Sequence, residues 1–140
     1  MDAAFSLRLE ELFFPVQEVC ANPEHDLKGE RSGTNLRHSF NVQSIEGQQG
    51  LFGVDFMIEC DRDSSKNPPY FFQLQVYALL RTDAPSDLMA AVASAAFSVV
   101  VGAARERLLE LTSRAPWGRF MMQPMQLVPQ AAPQPPEPEK

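Results

Sequence analysis

The residues best suited to chemistry in this 140-residue chain are two histidines, His25 and His38, and two cysteines, Cys20 and Cys60. Glu24-His25-Asp26 sets three metal-ligand types in a row, but consecutive side chains rarely converge on one ion, and the run reads as a charged loop. A cysteine beside a histidine and an acid would make a nucleophile. Cys60, however, continues the apolar side of an alternating segment, where a buried and inert thiol is expected, and Cys20 stands at a strand end. Asp61 and Asp63 suit a turn better than a pair of catalytic acids. The sequence has no glycine-rich phosphate loop, no CxxC pair and no GxSxG elbow. No catalytic constellation, metal set or cofactor motif is complete, so the expectation is a non-enzyme that uses no cofactor.

Binding is the chemistry that remains. Phe13-Phe14 and Tyr70-Phe71-Phe72 form two aromatic clusters, and Trp117, Phe120, Met121, Met122 and Met125 crowd nine positions near the end. Methionine is flexible and polarisable, and Met-rich surfaces accept varied apolar partners. Most of these side chains suit a core, but a domain of this size has limited interior to hide the whole set.

The first half of the chain would position these groups on strands. Phe5, Leu7 and Leu9 alternate with polar residues, the two-residue period of a half-buried strand. Glu10-Glu11 breaks the phase before Leu12-Phe13-Phe14 and Val16, which predicts a bulge. After a loop over 21–35, strands are expected near 36–46, with Phe40 and Val42 on one face, then 51–61 and 69–81. In the third, Phe52, Val54, Phe56, Ile58 and Cys60 oppose Asp55, Glu59 and Asp61. Short links between strands favour an antiparallel meander or Greek key.

The second half reads as helix. Pro85-Ser86-Asp87 offers a start, with Ser86 as cap. Leu88 to Ala104 then runs seventeen residues without a charge. That is short for a membrane span and rich in Ala and Ser, so a buried or interface helix is expected, without membrane insertion. From Ala104 to Arg114 the pattern is amphipathic, with Glu110 and Arg114 in the favourable i,i+4 order. Ala115-Pro116-Trp117-Gly118 should end the helix. The expected fold is therefore α+β: a four-stranded antiparallel sheet followed by a long helix packed on it. One domain covers 1–127, and the Pro-rich residues 128–140 read as a disordered or polyproline-like tail.

Charge narrows the partners. Twelve acidic and five basic residues over 1–63 leave a balance of −7, whereas 88–123 balances at +2, and the whole chain carries −6. An acidic protein is poorly suited to a phosphate backbone, so no nucleic acid is expected. Two cysteines cannot build a disulfide framework, and Met1-Asp2-Ala3-Ala4 lacks the basic start of a signal peptide, which leaves the cytoplasm as the default.

Residues 104–127 resemble the C-terminal half of the SecB protein-export chaperones. The likeness is carried by Ala104-Arg105-Glu106, Ser113-Arg114, Trp117, and the run from Phe120 to Leu127 around Pro124, with the sheet preceding the helix as in that family. The resemblance implies an ATP-independent holdase that keeps unfolded preproteins export-competent in apolar grooves. It implies a homotetramer, a dimer of dimers paired through sheets and assembled through helices, with the SecA motor docked on an acidic sheet face. Client binding would fall to Phe13, Phe14, Phe40, Trp117, Phe120, Met121, Met122 and Met125, and motor docking to Glu18, Asp55 and Glu59. The sequence departs from the family in two places. A Pro-rich tail replaces the usual final helix, and Gln73 and Gln75 stand where an outward acid is expected on the last strand. A SecB-like chaperone for a dedicated client such as an antitoxin fits these departures equally well. The rival of another class is a non-enzymatic adaptor with one folded partner.

Overall fold

The computed structural model of the chain describes residues 5–29 and 33–125. Among these residues, four strands, β1 (Leu7–Ala21), β2 (Leu36–Ser44), β3 (Leu51–Cys60) and β4 (Tyr70–Thr82), precede a 3-10 turn at Ser86–Leu88 and one long helix, α1 (Met89–Thr112). The strands form one antiparallel sheet in the order β1-β4-β3-β2. β2, β3 and β4 are thus a meander, and β1 returns against the free side of β4. The fold is the expected α+β arrangement. The Pro-rich tail, Leu127 before it and the N-terminal Met1 to Ala4 lie outside the described residues.

The pleat sorts the side chains. On β3 and β4 every second residue is buried, from Phe52 to Cys60 and from Tyr70 to Thr82, and this inward face meets α1. α1 answers with Val92, Ala96, Val100, Ala104, Leu108 and Thr112 at four-residue spacing, flanked by Phe97 and Val101. Phe97 is the central contact, meeting the rings of Phe40 at 5.1 Å and Phe56 at 5.7 Å, both nearly edge-on. Ser86–Thr112 is long and apolar enough to cross a membrane by composition alone, but here one side of it is core.

β1 keeps its phase through two irregularities. Leu9 pairs with Leu80 but Glu11 with Leu79, so Glu10 is the extra residue that the broken alternation had indicated. This insertion returns Leu12, opposite Ala78, to the same face as Leu7 and Leu9. A second shift between Phe13 and Val16 accommodates Pro15, which an edge strand tolerates at a bulge. Arg8 and Arg81 face each other across the pair, and the Glu10 carboxylate bridges them at 2.7 Å and 3.0 Å. These two guanidinium groups hold Glu10 below its usual carboxylate range.

Two local expectations are corrected. Ser86 makes no side-chain cap bond at the helix start. The hydroxyl of Thr82 instead accepts the Ala84 amide at 3.1 Å, tying the turn to the end of β4. Glu110 pairs with Arg107 at 2.8 Å rather than with Arg114. Arg107 is anchored from a second side, because its Nε donates to Gln17 on β1.

Candidate functional site

The segment after α1 is fastened by two hydroxyls. Thr112, fully buried, donates to the Leu108 carbonyl at 2.6 Å and accepts the Phe120 amide at 2.8 Å. Tyr70 donates to the Gly118 carbonyl at 2.6 Å and accepts the Trp117 amide at 3.0 Å. Gly118 adopts φ +82°, the left-handed turn that lets the chain reverse there. The Trp117 indole then donates to the Asn22 carbonyl at 2.9 Å, at the end of β1. Phe120 lies 5.2 Å from the ring of Phe72, and Met122 is 1% exposed within the core. Residues 113–125 thus form a strap laid across the inward face beside α1. Met121 points the other way along it, 63% exposed.

A groove of about 440 Å³ opens between β1 and α1. Its apolar floor is Leu9, Leu12, Phe14 and Ala103, and its rim carries Glu106, Arg107 and Glu110. Leu9 is 47% exposed in it. The Arg107 guanidinium sits 5.7 Å above the Phe14 ring, a cation–π contact that holds the ring as a groove wall. Charged rim over apolar floor is an arrangement that takes up an extended apolar segment by burial, a non-directional force of about 25 cal/mol per Å².

The opposite, outward face of the sheet carries different groups. Phe13, 44% exposed, stacks on Tyr77 at 5.1 Å. Tyr77 in turn covers Gly53, where an added Cβ would lie against the phenol oxygen. Glu18 and Glu59 flank Gln73 in one row, and Asp55 falls in line with Tyr77 and Phe13 in another. Asp55 accepts the Gln75 amide at 2.9 Å, and Glu59 meets Arg37 at 3.2 Å. A second hollow, of about 550 Å³, opens toward the end of β1 beside Glu18, Cys20, Glu59 and Arg62.

The residues singled out in the sequence therefore separate. Phe14 lines the groove, Phe40 packs beneath α1, and Trp117, Phe120 and Met122 are committed to the strap, with Met121 and Met125 along it. Phe13 stands on the other side of the sheet from Phe14, together with Glu18, Asp55 and Glu59. Leu9, Leu12, Ala103 and Arg107 in the groove, and Tyr77 outside it, were not among the expected binding residues. Only the bulge at Glu10, once placed, would have put Leu9 and Leu12 on one face with Phe14.

Among the described residues the His and Cys side chains lie apart from one another and serve local packing. His25 stacks on Trp117 at 5.2 Å with Nδ1 3.0 Å from the Asn67 carbonyl, so it supports the loop rather than a metal. Among the described residues no cluster of three His, Cys, Asp or Glu could hold a metal ion. Cys60 is buried, and burial pushes its thiol up; Cys20 is exposed on the outward face.

No family model and no curated protein sequence matches the chain. Solved structures do. The Mycobacterium tuberculosis SecB-like chaperone Rv1957, in complex with a ChAD peptide from the HigA1 antitoxin, superposes with a TM-score of 0.61 at 11% identity, covering 87% of this chain and 92% of that one. The fold is SecB-like. A protein of unknown function from Streptococcus agalactiae also aligns, at 13% identity and a TM-score of 0.48, over 86% of this chain and 99% of that one. In the SecB-like frame, the four-stranded antiparallel sheet followed by a helix is the shared architecture.

Proposed function

We propose that this chain is an ATP-independent chaperone that holds non-native polypeptides in the groove between β1 and α1. The observation that carries the reading is this groove, apolar in floor, charged at its rim and open, in a fold shared with a SecB-like chaperone that binds an antitoxin peptide. Leu9, Leu12 and Phe14 would contact the client, with Met121 and Met125 extending the surface along the strap. Trp117, Phe120 and Met122 would act as positioning residues, holding that strap, and Phe40 would seat α1. No bond is made or broken, so no cofactor enters the reading. The outward face supports a second role, docking of a motor such as SecA through Glu18, Asp55 and Glu59 beside Phe13. The working form in this reading is a cytoplasmic homo-oligomer, a dimer of dimers, with Cys20 and Cys60 as thiols.

The test is suppression of aggregation for two unrelated chemically unfolded proteins. Wild type should protect both. Leu9→Asp, at an exposed position, should keep the fold and lose protection several-fold. Equal protection by wild type and variant would remove the groove from the account, and protection of only one client would make the chain a dedicated chaperone.

A further inference from the structure

We propose that Arg107 is a specificity residue of the groove. It bars one end of the gap between α1 and β1, so that a bound chain must leave the groove after a short apolar segment. The proposal rests on the client-holding reading above and adds to it the length of chain that the groove seats.

Three contacts hold Arg107 across the gap. Its Nε donates to the Gln17 side-chain oxygen on β1 at 2.5 Å, and its Nη1 donates to the Glu110 carboxylate on α1 at 2.8 Å. Its guanidinium carbon stands 5.7 Å from the centre of the Phe14 ring. A planar fork with donors on several edges can make these contacts at once, which the single ammonium of a lysine cannot. Gln17 and Glu110 are exposed, and the Arg107 side chain keeps 33% of its exposure. Links between such side chains contribute little to stability. The bridge therefore matters more for access to the groove than for the fold.

The strand register sets the length. Leu9, at the open end, lies opposite Leu80, and Gln17, at the barred end, lies opposite Leu74. Those partners are six positions apart on β4 (80 − 74), which at about 3.3 Å per residue is roughly 20 Å. An extended segment of about six residues fills that span. A further hollow, of about 360 Å³, adjoins the groove farther along α1. Glu106 and Glu110 line both, and Leu109, Ser113 and Arg119 complete the second. Arg107 stands at their junction as the partner of Glu110. With its fork turned away from Gln17, the two hollows become continuous and a longer stretch of chain can lie along the helix.

Fluorescence anisotropy of the full chain with labelled peptides of alternating leucine and serine, about six and about twelve residues long, tests this. Wild type should bind the two with dissociation constants within about threefold of each other, because one short stretch is seated in either case. Arg107→Met keeps an aliphatic stem over Phe14 and makes no bridge. Gln17→Leu, at an exposed position, removes only the strand side of the bridge. Both should keep the circular dichroism spectrum of wild type and hold the short peptide as before. Both should bind the long peptide about tenfold more tightly, because the further hollow then adds buried surface. Arg107→Lys, which keeps the charge without the fork, should behave as Arg107→Met does. A bridge that only braced the structure would weaken both peptides together when removed. That result, a wild-type length ratio in both variants, or a wild type that already prefers the long peptide tenfold, would overturn the proposal and leave the chaperone reading in place. If wild type binds neither peptide nor an unfolded protein, both fall.

Discussion

Two neighbouring methionines separate packing from binding at the scale of single residues. Met122 is 1% exposed and Met121 63% exposed, one position apart on the strap. Met122→Asp places a carboxylate in the core and should cost about 3 kcal/mol or more in denaturant unfolding. Met121→Asp should change stability by about 0.5 kcal/mol or less and weaken client binding several-fold. If Met121→Asp binds an unfolded client as tightly as wild type, the strap is packing alone and the client surface is confined to the groove. The two aromatics at Phe13 and Phe14 teach the same distinction. Sequence adjacency suggests one patch, but the pleat sends Phe14 to the groove and Phe13 to the stack with Tyr77 on the other side.

Among the elements, β1 lines the groove and is the least regular. Its start is held by the Asp83 carboxylate, which accepts the Ser6 amide at 2.7 Å, and by Thr82, whose hydroxyl donates to the Ser6 carbonyl at 2.8 Å. The Ser6 bond lowers the Asp83 pKa. The bond favours the carboxylate, so its contribution is complete above the ordinary Asp range and is lost as pH falls through the lowered folded value. Amide exchange should show Ser6 protection falling over that acid window while Leu74, paired on both sides within β4, stays protected. Unchanged Ser6 protection would mean that Thr82 alone fixes the strand. Much of this element pattern was legible. The clean alternation of β3 and the break at Glu10-Glu11 gave the strands and the first bulge, because burial on one face enforces a period of two. The strap was not legible, since Trp117 and Phe120 are held by Tyr70 and Thr112, hydroxyls 47 and 8 residues away that no local pattern connects to them. Nor was the groove, which depends on β1 lying beside β4 rather than beside the strand that follows it.

For the whole molecule, the sheet separates two kinds of surface. The inward side holds α1, the strap and an open apolar groove; the outward side holds acids around an aromatic stack. One protomer carries both an uncharged helix face and an open groove. The proposed role is that an oligomer of it holds unfolded chains. Solution mass measured by light scattering, with and without a permanently unfolded protein, tests it most directly. The account predicts an oligomer that takes up the unfolded protein as a discrete, heavier complex without nucleotide. A protein whose mass is unchanged by the unfolded chain would contradict it and leave a single-partner adaptor as the better reading.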